Sequence, residues 1–163
     1  MRRSWLGITV LLLSCLLLAA CGGGGSAATT TQSTARVVFG LASTALPAPV
    51  NIVKVRIQLP AGVSVTADAA NQVTSPTLVG LNNVSVPFGT YSAAVRTVTF
   101  IGSNVSDRIH FREFAALNCA IAPGMPPLSA GNFQNFTISA QGFTNGNTLN
   151  LNVAPTLNVT FGQ

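Results

Sequence analysis

Acid is scarce in this chain: three Asp and Glu stand among 163 residues, against eight Lys and Arg. The high isoelectric point, about 10.1, follows from that scarcity rather than from any basic block. Beyond Arg2 and Arg3 the cations are Arg36, Lys54, Arg56, Arg96, Arg108 and Arg112, spread singly or in loose pairs. A nucleic-acid binder needs a clustered basic face with stacking aromatics. Here the planar aromatics with a polar edge are one Trp and one Tyr, Trp5 and Tyr91, so nucleic acid is excluded as a partner. Histidine is also scarce: His110 is alone, and with Cys119 it falls short of the several His or Cys ligands that zinc takes. Calcium sites gather several oxygens, carboxylates among them, whereas Asp68, Asp107 and Glu113 are dispersed. No Gly-x-Ser-x-Gly elbow frames a serine. No strand precedes the glycines at 22–25 as a nucleotide fingerprint requires. These absences predict a protein with no metal, no cofactor, no catalytic residues and no enzymatic activity.

What is present begins at the N-terminus. Arg2 and Arg3 open the chain, and an apolar run from Trp5 to Ala20 follows. This is the plan of an export signal: a charged start, a short apolar core and a small-residue cut site. At 1.5 Å per residue the run would reach roughly 24 Å as a helix, short of the roughly 30 Å of a bilayer's hydrocarbon core. Residues 1–20 are therefore expected to be a signal peptide rather than a retained span.

The residues Leu18-Ala19-Ala20-Cys21 resemble the bacterial lipobox: an aliphatic residue, two small residues, then cysteine. The resemblance implies cleavage before Cys21 and a diacylglyceryl group on its sulfur, usually with a further acyl chain on the new amine. One acyl chain anchors only marginally; two or three hold stably. The membrane is then a partner through lipid. Gly22 stands where Asp commonly marks inner-membrane retention in enteric Gram-negative bacteria, so an outer-membrane destination is favoured where the host has one, and the outer face of the cytoplasmic membrane otherwise. Residues 21–34 read as the lipidated cysteine and a Gly/Ser/Thr-rich tether. Its contour, at most about 45 Å, keeps the domain near its membrane.

Loss of residues 1–20 removes Cys15, Arg2 and Arg3, leaving six Lys and Arg against three acids, a net charge of +3. With Cys21 carrying lipid, Cys119 has no internal disulfide partner. In the run Phe114–Ile121 it shares a strand face with Leu117 and Ile121. Free cysteine packs as a small hydrophobe, so a core thiol is expected.

Residues 35–163 have the size of one domain and almost no helical periodicity. The cleanest strand is Val53–Leu59, with Val53, Val55, Ile57 and Leu59 on one face and Lys54, Arg56 and Gln58 on the other. Further strands are expected at 35–41, 63–66, 77–81, 85–88, 92–101, 114–121, 133–140, 148–153 and 157–161, with 67–76 a loop. Turn residues at 88–90, 123–124, 126–127 and 145–147 separate them. Many short strands so spaced predict an all-β fold, a single jelly-roll-like antiparallel β-sandwich of about eight or nine strands.

Four segments, Ile52–Thr66, Arg96–Asn104, Glu113–Gly124 and Asn135–Phe161, resemble the cohesin-like β-sandwich shared with some carbohydrate-binding modules. The resemblance implies a non-enzymatic binding module with a protein or polysaccharide ligand. The chain departs from sugar-binding members, which stack sugars on Trp or Tyr; its nine Phe are more often core residues.

One stretch concentrates chemistry: Asp107-Arg108-Ile109-His110-Phe111-Arg112-Glu113. If extended, it places Arg108, His110 and Arg112 on one face, and these three are the candidate contact surface. As ends of a straight strand, Asp107 and Glu113 would lie about 20 Å apart, beyond the roughly 5–9.5 Å of glycosidase carboxylate pairs. The expected function is therefore a membrane-anchored lipoprotein presenting a binding module at the cell envelope. The alternative is a structural or assembly subunit of an envelope or secretion complex or surface filament.

Overall fold

The computed structural model describes residues 31–42, 45–104 and 106–163. The expected signal peptide (1–20), Cys21 and most of the segment expected as a tether lie outside the described residues. Thr31–Gln163 forms one compact unit. It is all-β, apart from a short 3₁₀ helix at Ala130–Phe133.

Two antiparallel sheets make the body. The first holds β1 (Thr34–Ala42), β3 (Val63–Ser64), β5 (Leu78–Gly80), β8 (Glu113–Ile121) and β11 (Ala154–Gly162), in the order β11-β1-β8-β3 with β5 also on β8. The second holds β2 (Ile52–Gln58), β4 (Gln72–Val73), β6 (Gly89–Ser92), β7 (Thr97–Ser103), β9 (Phe136–Thr144) and β10 (Asn147–Leu151), in the order β10-β9-β2-β7-β6-β4. Only β6–β7 and β9–β10 follow one another within a sheet; every other connection crosses between sheets. Such crossing is the wiring of Greek-key and jelly-roll sandwiches.

Alternation explains why the sheets face each other. On β2, Val53, Val55 and Ile57 are fully buried, while Lys54 and Arg56 are exposed. The register carries this face across the sheet, pairing Val55 with Phe100 on β7 and with Ile138 on β9. On β1, Ala35, Val37, Phe39 and Leu41 point inward. Phe39 meets Phe100 edge-to-face at 5.4 Å and Phe136 at 6.5 Å, which joins the two inner faces through one ring. Edge-to-face pairs add about 0.5–1.5 kcal/mol beyond area burial. On β8, Leu117 and Cys119 align with Val37 and Ala35. The register shifts by one residue between Phe39 and Gly40, so Phe114 and Ala115 are both buried. A β-bulge has this effect, two residues of one strand facing one of the other. Cys119 is a buried free thiol, as the strand pattern predicts.

The described residues form eleven strands where eight or nine were expected. The excess comes from short pairings that alternation cannot register. The expected loop 67–76 contains β4, whose Gln72 and Val73 pair with Thr90 and Gly89. The expected strand 92–101 is split, because Arg96 takes a left-handed conformation (φ 51°) and turns the chain between β6 and β7. The turn expected at 88–90 instead starts β6. The strand expected over 85–88 is reduced to one bridge from Ser85 to Ser103. Phe133, expected to open a strand, is buried at the end of the 3₁₀ helix. The β9–β10 connection agrees with its sequence: Asn145 and Gly146 both have positive φ, 49° and 78°, as a two-residue type I′ hairpin requires.

Residues 32 and 33, within the segment expected as a tether, hydrogen-bond to the folded body. Gln32 donates to the Leu128 carbonyl (3.0 Å) and accepts from its N–H (2.7 Å). The Ser33 N–H donates to the Gly162 carbonyl at 2.9 Å, and its carbonyl accepts from Ile121 at 2.8 Å.

Candidate functional site

The stretch that concentrates chemistry is a folded loop, not an extended strand. It leaves β7 at Ser103, and Asn104 shapes the turn. The Asn104 side chain is buried; its oxygen accepts from the Asp107 N–H at 3.0 Å, and its amide donates to the Arg108 carbonyl at 3.4 Å. Asn side chains that mimic backbone in this way favour turns. Asn51 secures the loop from the other side. Its amide donates to the Asp107 carbonyl at 3.1 Å, and its side-chain oxygen accepts from the Phe143 N–H at 3.2 Å. Ile109 then plugs the core at 2 % exposure, and its N–H donates to the Val50 carbonyl at 2.7 Å. A buried Ile between Arg108 and His110 fixes where those two neighbours stand.

The consequence is a hollow of about 490 Å³ at one end of the sandwich. Arg108, His110 and Phe111 line one wall, and the segment Leu46–Val50 with its two prolines lines the other. Arg108 and His110 are thus brought together. Arg112 is exposed and does not line the hollow; its backbone turns back through an N–H to the His110 carbonyl at 2.8 Å. The single face expected for Arg108, His110 and Arg112 holds only for an extended chain, and here the backbone turns between His110 and Arg112.

His110 Nε2 lies 3.1 Å from an Asp107 carboxylate oxygen, within hydrogen-bond distance, and the pair is ionic only when the imidazole is protonated. The Arg108 backbone N–H and the His110 ring hold the Asp107 carboxyl below its ordinary range. Both side chains are substantially exposed, at 40 % and 63 %. Solvent screening at such exposure leaves an ion pair little energy, so this contact orients the imidazole more than it stabilises the fold. Glu113 opens β8, where its carbonyl accepts from the Asn82 amide at 2.7 Å. Among the described residues no three His, Cys, Asp or Glu side chains cluster closely enough to hold a metal ion.

Two features escaped the sequence pattern. Phe111, 40 % exposed, adds an apolar element beside the cation of Arg108. The Pro47–Pro49 segment supplies the second wall, although it lies some sixty residues away in the chain. Proline rigidity at 47 and 49 is legible; its apposition to His110 is a tertiary fact. On the outer face of the second sheet, Lys54 borders another hollow of about 460 Å³ with the exposed Phe88 and Ile101.

Comparison with known protein families, with curated proteins and with solved structures finds no match to this chain.

Proposed function

We propose that the protein is an exported lipoprotein, held to a membrane by lipid on Cys21, whose β-sandwich acts without catalysis as a binding module at the cell envelope. The observation that carries this reading is the ordered series of basic start, short apolar core, Leu18-Ala19-Ala20-Cys21 and Gly-rich run. The hollow at Arg108 and His110 is the contact region: a guanidinium with no carboxylate within ion-pair distance among the described residues, beside an exposed phenyl ring and a proline-stiffened wall. That combination suits a protein or polysaccharide ligand bearing an acidic group next to an apolar one. A Cys21→Ala chain is expected to lose metabolic fatty-acid labelling and to accumulate unprocessed. Normal processing with retained label would overturn the anchor. For the contact region, proximity crosslinking of the native lipoprotein in cells identifies the captured molecule. Its affinity is then expected to fall about tenfold or more for Arg108→Ala, and unchanged affinity for both Arg108→Ala and His110→Ala would remove the hollow from the reading.

A second reading, an assembly subunit of an envelope structure, is favoured by one observation. The first sheet ends in a long strand with no neighbour on its outer side among the described residues.

A further inference from the structure

The sandwich treats its strand edges unequally. At one side the sheets end in β3, β4 and β5, of two, two and three residues. Very short edge strands are a common protection against unwanted pairing. At the other side stands β11, nine residues long, paired along its whole length with β1 and with no strand beyond it among the described residues. Natural edges are blunted by charge, bulges or proline. From Ala154 to Gly162 there is no charged residue, the register with β1 runs without a shift, and the one proline, Pro155, stands next to the strand's start.

The inward side chains of this strand are unfinished. Leu157, Val159 and Phe161 are only half-buried, as are Leu149 on β10 and Val153 in the crossing to β11. All five pack against the core and keep part of their surface accessible, and Phe161 also meets the Phe133 ring of the 3₁₀ helix at 6.1 Å.

The sequence of β11 is self-complementary about its centre. An antiparallel partner of the same sequence, centred on Asn158, sets Asn158 opposite Asn158, Leu157 opposite Val159, and Thr156 opposite Thr160. Leu157 and Val159 then meet on the inward side and Thr156 and Thr160 on the outward side, while Phe161 falls opposite the exposed Pro155 near the strand's start. A slip by one residue would reverse the faces. The centre at Asn158 also gives the largest number of pairs, and no like charges meet. A two-fold pairing of this kind is isologous and closes on itself.

We infer that β11 is a docking edge for a second copy of this chain, joining the first sheets of two molecules into one continuous sheet through a β11–β11 pair centred on Asn158. This deepens the assembly reading above and is independent of the lipid on Cys21. β10 is a poorer edge for the same purpose, with five residues against nine.

The test uses the full chain. Directly opposed residues of an antiparallel pair have Cα atoms about 4.5–5.5 Å apart, within the range a disulfide spans. An Asn158→Cys variant is therefore expected to form a disulfide-linked homodimer on mild oxidation of intact cells. Thr137→Cys, exposed on the outer face of the second sheet, serves as the control and is expected to stay monomeric under the same oxidation. Asn158→Lys sets two like charges face to face. The detergent-solubilised full chain carrying it is expected to dimerise at least tenfold more weakly than the unaltered chain by analytical ultracentrifugation. An Asn158→Cys chain whose introduced thiol reacts with maleimide but never links two copies would overturn the inference, as would undiminished dimerisation of Asn158→Lys. Where Asn158→Lys fails to fold, the crosslink decides. Linkage of the Asn158→Cys chain only to a different protein would reject the second copy while leaving the assembly reading in place. Fatty-acid labelling of the same samples reports on the anchor separately.

Discussion

Cys119 shows how much one position in the core constrains. Its side chain lies in the inner face of β8, aligned with Ala35, and burial pushes its thiol up from 9.0 to about 12. A thiol that ionises so reluctantly is a poor nucleophile. The folded protein is therefore expected to resist maleimide at neutral pH and to react at one site once denatured, apart from any unlipidated Cys21. The same shift has a consequence for stability. The folded state disfavours the thiolate relative to the unfolded chain, so the contribution is complete below pH 9 and is lost as pH rises from 9.0 toward about 12. Chemical denaturation across that range is expected to show a steeper loss for the native sequence than for Cys119→Ala, which lacks that thiol. Phe39 is the other residue on which both sheets depend. Removing a fully buried ring that touches Phe100 and Phe136 leaves a cavity between the sheets. Phe39→Ala is expected to cost about 3–5 kcal/mol, read as a shift of the urea midpoint with little change in slope.

Between elements, the contact of β9 with the Leu46–Val50 segment links fold to site. A Cβ added at Gly142 would stand 2.3 Å from the Pro49 carbonyl oxygen and 3.0 Å from Leu151. That oxygen is backbone, so the proline wall of the hollow would have to move. Gly142→Ala is expected to cost about 1–3 kcal/mol and to lower ligand affinity at Arg108 without touching the ligand. Gly146, whose added Cβ would meet nothing within 4 Å, is a contrast at the hairpin tip, where only its positive φ resists substitution. The two glycines look alike in sequence. Gly146 was legible because Asn-Gly between alternating runs specifies a turn by local conformation. Gly142 was not, because its constraint comes from a carbonyl more than ninety residues away. The same division runs through the other elements. Strong alternation made β2 and β11 readable, and the Leu117, Cys119, Ile121 face made β8 readable. The two-residue β4 has no period to read, and the hollow joins Pro47 to His110 only through tertiary folding. For that reason the stretch 107–113 could be singled out from the chain, while which of its side chains line the hollow could not.

For the molecule as a whole, the question is where the folded unit begins, since a tethered module needs a body that stands without its tether. The buried core is drawn from residues 35 to 151, which places its apolar stabilisation after the tether. Yet the body takes in Gln32, Ser33 and Thr34 before that core. Gln32 makes two hydrogen bonds to Leu128, and Ser33 makes two more, to Gly162 and from Ile121. They close the end of β1 over both β11 and β8, and the Gln32 pair ties down the proline-rich connection that leads to the 3₁₀ helix. A part-buried hydrogen bond contributes about 0.5–1.5 kcal/mol net, and a buried partner left unpaired costs more. A domain starting at Thr31 is therefore expected to unfold cooperatively, whereas one starting at Ala35 should be less stable by about 2–4 kcal/mol in the same denaturation experiment. Equal stability of the two would mean that residues 32 and 33 belong to the tether after all. A difference of the expected size would show that the fold begins before Ala35, within the segment expected as a tether. The free reach between membrane and domain would then be shorter than a tether running to residue 34 allows, and the Leu128 connection would be held by the chain's own N-terminal side.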